Sequence, residues 1–190
     1  MLQDEYYLID RENNDDYPLF SWDQRRGDYG LGRPVDSKDS IKLTIGEPIS
    51  PNFELVDYHS LPTGPVVSKK IIDVLAPLNI YGAQLVPAKV RNPNEDTPFS
   101  EQYDYWFIHV WNRIACLDKD KSDIEYDEVD GKIWGIEELV LNEDILNKFN
   151  LGKRLIFELT EFSSVLLIHK SIKEIIDAVS PKGCRFFKAT

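Results

Sequence analysis

The chain has 190 residues, 42% hydrophobic and 12% aromatic, enough apolar side chains for a buried core, which excludes wholesale disorder. Its 33 acidic residues against 22 basic ones give a formal net charge of −11. That excludes a protein that holds nucleic acid by neutralising phosphates, because such a protein needs a basic face.

In chain order, Tyr6-Tyr7-Leu8-Ile9 reads as a short strand. A polar, turn-like stretch comes next from Asp10 to Asp16, and Arg25 to Pro34 is a loop by its glycines and proline. Ile41, Leu43 and Ile45 alternate with Lys42 and Thr44, the pattern of a half-buried strand. Pro48, Pro51, Pro62 and Pro65 punctuate the chain beyond it, so residues 1–64 read as irregular strands and loops draped on the main body. Ser68 is placed to cap a helix carrying Ile71, Ile72, Leu75 and Leu78 on one face. Gly82 opens a strand over Ala83 to Val90, residues 92–102 form a polar loop, and Tyr103 to Trp111 is an aromatic-rich strand. A bulge is expected before its continuation at Ile114 to Leu117. Lys132 to Leu141 is a further strand and Glu143 to Phe149 a short helix. Leu155 to Leu159 and Val165 to Ile168 are strands, His169 to Val179 is an amphipathic helix, and Gly183 precedes a last strand, Cys184 to Lys188. The fold class expected is α+β, a mixed or antiparallel sheet with two or three helices packed on it. A single domain over 1–190 is expected, with residues 65–190 as its core.

Two 22-residue segments, Val67 to Ala88 and Ile168 to Ala189, align without gaps. Each reads as an apolar pair, an amphipathic helix, a glycine turn and a strand, which suggests an internal helix–Gly–strand repeat. Gly82 and Gly183 fall together and are expected to leave their helices in the left-handed region.

Charge is uneven. Residues 1–64 hold 13 acids and 6 bases, residues 112–150 hold 11 and 5, and residues 151–190 hold 4 and 7. Asp118, Asp120, Asp123, Glu125, Asp127 and Glu128 form an acidic run, with Tyr126 inside it. An EF-hand loop starting at Asp118 would need glycine at its sixth position and glutamate at its twelfth, where Asp123 and Val129 stand, so no metal site is expected. The run is expected to be a docking face for a basic partner, with Tyr126 and Trp22 as aromatic anchors. Trp106, Trp111 and Trp134 are assigned to the core. Cys116 and Cys184 are isolated, and His59, His109 and His169 have no metal-ligand spacing. Gly30-Leu31-Gly32 lacks the Gly-Lys-Ser/Thr of a phosphate loop.

The order of features from the aromatic strand onward carries a resemblance. Ile114-Ala115-Cys116-Leu117-Asp118 leads to Ser122-Asp123, then come Leu139-Val140-Leu141, Leu155-Ile156-Phe157-Glu158, Val165 to His169, and a helix before Gly183 and Phe186-Phe187. Over roughly residues 65–190 this resembles the eleventh family of bacterial polymorphic-toxin immunity proteins. The resemblance implies a non-catalytic protein, without cofactor, that binds a cognate toxin domain and neutralises it. The acidity implies a basic toxin, and no nucleic-acid or membrane partner. The N-terminus carries no positive, apolar leader and no apolar run approaches the ~20 residues of a transmembrane helix, so a cytoplasmic protein, monomeric when free, is expected. Two other readings stay open: a small cytoplasmic hydrolase using Cys116 or a histidine, and a structural interaction domain.

Overall fold

The computed structural model describes residues 2–36, 39–95 and 102–189, and residues 96–101 of the expected 92–102 loop lie outside them. Among the described residues there are thirteen strands and three α-helices in an α+β arrangement dominated by sheet. The first sheet contains β2 (Phe20–Trp22), β3 (Ile41–Ile45), β4 (Tyr58–Leu61), β5 (Gly64–Val67), β6 (Ala83–Arg91) and β7 (Tyr103–Val110), in the order β2-β3-β6-β7-β5-β4. The second contains β1 (Tyr6–Arg11), β8 (Arg113–Ile114), β11 (Ile156–Leu159), β12 (Leu166–His169) and β13 (Cys184–Lys188), in the order β13-β1-β12-β11-β8. A separate two-stranded ribbon pairs β9 (Asp123–Tyr126) with β10 (Ile133–Glu138). The helices are α1 (Lys69–Leu75), α2 (Glu143–Leu146) and α3 (Lys170–Asp177).

The first sheet curls until its edge strands β2 and β4 lie against each other. Phe20 of β2 stacks on His59 of β4 with ring centroids 4.1 Å apart. Inside the curl, the inward residues of each strand make one core: Phe20, Ile41, Leu43, Ile45, Val66, Val86, Val90, Tyr105 and Phe107. The alternation that marked Ile41, Leu43 and Ile45 as inward is realised, and all three are buried.

The aromatic strand does not continue past a bulge into Ile114. The chain leaves the first sheet at Trp111 and Asn112, whose amides both donate to the Gly82 carbonyl. It then opens the edge of the second sheet, where β8 runs parallel to β11. Arg113 fastens this crossing: its Nε donates to Glu158 at 3.0 Å and its Nη2 to the Gly30 carbonyl at 2.9 Å. The Gly30–Gly32 loop thus supplies a carbonyl to a half-buried ion pair.

The repeat seen in the sequence is a repeat of topology and register. In the first copy β5 and β6 flank β7, both antiparallel to it, with α1 as the connection. In the second, β12 and β13 flank β1, both antiparallel, with α3 as the connection. Val67 faces Trp106 as Ile168 faces Tyr7, Val66 faces Phe107 as Leu167 faces Leu8, and Ala83 faces Val110 as Cys184 faces Arg11. The outer neighbours correspond too, with Tyr58 opposite Val67 and Ile156 opposite Ile168. The two copies meet through α1 against α3 and through β1 against β4 and β7 against β11, a pairing expected of an approximate two-fold axis. Ile71, Ile72 and Leu75 of α1, Ile172 and Ile176 of α3, and Ile108, Val110, Ile156 and Ile168 of the sheets form the core between them.

Residues 1–64 are therefore not draped on a finished body. β1 is the interior strand that holds β12 and β13 in one sheet, and β3 pairs in parallel with β6. Local pattern underrates these strands because long polar segments separate them, and because the partners of β1 lie more than 100 residues away. Ser68 stands at the expected N-cap of α1, but its hydroxyl donates to Asp57 at 2.6 Å rather than capping the helix.

Gly82 and Gly183 occupy matching places at φ +80° and +86°. The Gly82 carbonyl accepts from Trp111 as the Gly183 carbonyl accepts from Glu12, both at 2.8 Å. A Cβ at Gly82 would stand 2.0 Å from Asn112 Cβ, and one at Gly183 would stand 2.4 Å from Val56 Cγ2. Urea unfolding should show G82A and G183A each losing at least about 2 kcal/mol, from backbone strain and overlap together. Gly131 has positive φ but open space around it, so G131A should lose only about 1 kcal/mol.

Candidate functional site

The acidic run builds the β9–β10 ribbon and its two ends. At the base, the Asp118 amide donates to the Val140 carbonyl at 2.9 Å, and Ser122 Oγ both donates to that carbonyl and accepts from the Val140 amide. Leu117 bridges Leu141 beside them. Asp118 also pairs with Lys121 at 2.9 Å, whose ammonium holds its carboxyl below the usual carboxylate range. The Asp118 and Ser122 positions that carried the family resemblance thus lock the ribbon to the body.

At the tip, the Asp127 carboxylate accepts from the amides of Val129 and Asp130 at 2.8 and 3.0 Å, and the Asp127 amide donates to the Lys132 carbonyl. This is an Asx-type turn that closes the hairpin. Asp118 and Asp127 are therefore framework groups, whereas Asp120, Asp123, Glu125, Tyr126 and Glu128 are exposed. Asp123 lies directly opposite Glu138. Like charges so placed destabilise a ribbon.

The inner face of the ribbon is apolar. Ile124, Ile133 and Ile136 pack on a core that includes Leu117, Leu139, Leu141, Leu146 and Phe157. The register shifts between Ile133 and Gly135 and again between Ile136 and Glu138. These bulges turn Ile133 and Ile136 to the same side although three positions separate them, and they aim Trp134 outward. Trp134 is 73% exposed, Tyr126 50% and Val129, in the turn, 94%. The core assignment of Trp134, made because aromatics on strands usually fill cores, fails at the first bulge. Gly135, beside the exposed indole and between two inward isoleucines, was the signal for it.

Trp22 is not an exposed anchor. It packs on the core inside the curled sheet, stacked on Tyr29 at 5.5 Å and edge-on to Phe107 at 5.6 Å. Beyond the ribbon base, an open groove of about 620 Å³ is lined by Asp4, Asp118, Glu138, Glu143 and Asp144, with Lys121 as the one cation among the described residues that line it.

The candidate nucleophile and bases are structural in this arrangement. Cys116 is fully buried, and burial pushes its thiol up to about 12, so it carries no thiolate at neutral pH. His169 caps α3 by accepting from the Ser171 amide at 3.2 Å, and its other nitrogen lies 3.3 Å from Glu5. His109 donates to the Arg33 carbonyl at 2.9 Å, with burial lowering its pKa. His59 holds the seam of the curled sheet: Nδ1–H donates to the Pro18 carbonyl at 2.8 Å and Nε2 accepts from the Val56 amide at 3.0 Å. Both partners are backbone groups, so the ring must be neutral, and burial depresses its pKa to about 4. No helix among the described residues is long and apolar enough to cross a membrane.

A family model described as immunity protein family, Imm11, matches residues 51–190. The chain belongs to the Imm11 family. The match begins just before β4 and takes in the ribbon and both helices of the repeat, so the Imm11 segment contains every exposed acid of the ribbon. It leaves out β1, β2 and β3. No curated protein matches this chain.

The His59 seam gives a pH dependence with a definite sign. The unfolded chain takes up a proton near pH 6.5, while the native ring resists until about pH 4. Stability is therefore lost as pH falls from 6.5 toward 4, with the His59 share amounting to up to about 2 kcal/mol by pH 5. Urea unfolding at pH 7 and pH 5 should show this slope, and H59Q should be less stable at pH 7 but lose the largest part of it.

Proposed function

We propose that this protein binds a cognate bacterial toxin domain and neutralises it by contact alone, in the cytoplasm of the cell that makes the toxin. Family membership supports the toxin-directed role, and immunity families work in general without catalysis. A purely binding role also agrees with a chain whose cysteine and histidines serve the core, the helix cap and the sheet seam.

The observation that carries the choice of surface is the Asp123–Glu138 pair. Residues 118–144 hold eleven acids against three lysines, and two of the acids, Asp123 and Glu138, are partners across the ribbon. Such an arrangement works against the stability of the free protein and is relieved by a partner that brings lysine or arginine. The proposed toxin is accordingly basic. An acidic face speeds encounter with a basic domain and discriminates against wrong partners. The free protein is proposed to be a monomer that forms a 1:1 complex.

Co-expression with the toxin encoded beside it should protect cells, and failure to protect would contradict the reading. Reversing Asp123, Glu125 and Glu128 together to lysine should lower the association rate at low salt by at least about tenfold. The same variant should lose none of its thermal stability, because the D123K change sets an ammonium opposite Glu138 in place of a carboxylate. Asp127 is left intact in this test, since its carboxylate closes the hairpin turn.

A further inference from the structure

We infer that the distal end of the ribbon, Trp134 with Tyr126 and Val129, is an apolar anchor that seats in a recess of the toxin whose rim carries lysine and arginine. The inference rests on the immunity reading and adds what the acidic run alone does not say: which residues carry the binding energy and what shape the partner has.

Three observations lead there. The chain has four tryptophans, and Trp22, Trp106 and Trp111 are half-buried against neighbouring side chains, while Trp134 stands 73% exposed. The fold has no use for an indole at that place, since Ile124, Ile133 and Ile136 already supply the ribbon's contact with the core. An exposed indole on the same hairpin as an exposed tyrosine and valine has the composition of a binding hot spot before it is covered.

The second observation is rigidity. The bulge fixes the direction of Trp134, the Asp127 turn fixes the tip, and the Asp118, Ser122 and Val140 hydrogen bonds fix the base. A backbone held in place before binding loses little entropy when the side chain it carries docks.

The third is the identity of the occupant. The Trp134 indole is 73% exposed, so a partner that buries it must supply the recess. Glu125, Glu128 and Asp130 lie on the same hairpin, and Lys132, the cation nearest the tip in the sequence, is already paired with Asp130. A nucleic acid, an anionic membrane and a second copy of this ribbon are all repelled by those charges. A basic protein surface with an apolar recess satisfies both the indole and the carboxylates. In such a complex the carboxylates set the encounter rate and the indole sets the lifetime.

The experiment measures association and dissociation rates for an inactivated form of the toxin domain encoded beside this chain, with the wild type, W134A, W134F and the triple charge reversal. W134A should bind at least about 30-fold more weakly, almost entirely through faster dissociation. W134F should recover part of the loss, and the charge reversal should act mainly on association and fade at high salt. Because Trp134 is exposed, W134A should unfold at the wild-type temperature. Wild-type binding that W134A leaves unchanged would overturn the anchor and leave the immunity reading standing. A wild type that neither binds nor protects would remove the immunity reading and the anchor with it. A wild-type dimer that W134A dissolves would make the distal end of the ribbon a self-interface and overturn the proposal.

Discussion

The insertion of β1 between β12 and β13 is the constraint on which the rest of the second sheet depends. β12 and β13 share no hydrogen bonds with each other, so the C-terminal copy of the repeat exists as a sheet only because a strand from the other end of the chain fills the gap. Tyr6 begins that strand fully buried, edge-on to Phe157, with its hydroxyl accepting from Arg154 at 2.6 Å. Just before it, Gln3 donates to the carbonyls of Leu139 and Ala189 and accepts from the Leu141 amide. One side chain thus ties the N-terminus, the C-terminal strand and the root of the ribbon together. The Imm11 match begins at residue 51, yet the ribbon it contains is anchored by residues outside it.

The two copies of the strand–helix–strand unit divide scaffold from function. Each is closed by its own middle strand, β7 or β1, and the helices α1 and α3 pack across the approximate two-fold axis. The symmetry is broken by an addition between the copies. The long segment from β8 to β11 carries the ribbon and α2, whereas the segment that leads from β2 to β4 carries only β3. Variable additions on a rigid core are the usual place for binding chemistry, because they can change without disturbing the packed layers.

Much of the scaffold was legible because its elements obey one period each. The strand over Ile41, Leu43 and Ile45, the last strand from Cys184, and the positive φ of Gly82 and Gly183 all come from local pattern and backbone sterics, although the left-handed helix exits themselves fall three residues earlier, at Asn79 and Ser180. The β1 insertion was not legible, since no local signal says that Tyr7 pairs with Ile168 and Lys188. At the candidate site, Asp120, Asp123, Glu125, Tyr126 and Glu128, singled out by charge and composition, are exposed. Asp118 and Asp127 were grouped with them because charge does not reveal which carboxylates are already spent on framework contacts. Trp134 was lost to a bulge that reverses its face, and Trp22 was taken as an anchor because the curl of the first sheet, which half-buries it, is set by contacts between strands remote in sequence.

The ribbon gathers exposed carboxylates and an exposed indole, and the proposed partner is one that would cover both. That puts the ribbon at the centre of the proposed function, with the two sheets as support for its position. Amide hydrogen exchange of the free protein and of its mixture with the inactivated toxin domain tests this most directly. Slowed exchange concentrated in residues 118–138, with the curled sheet and β13 unchanged, is the predicted result. Protection confined to the curled sheet or to the loop over residues 25–34, with the ribbon exchanging as it does in the free protein, would contradict it.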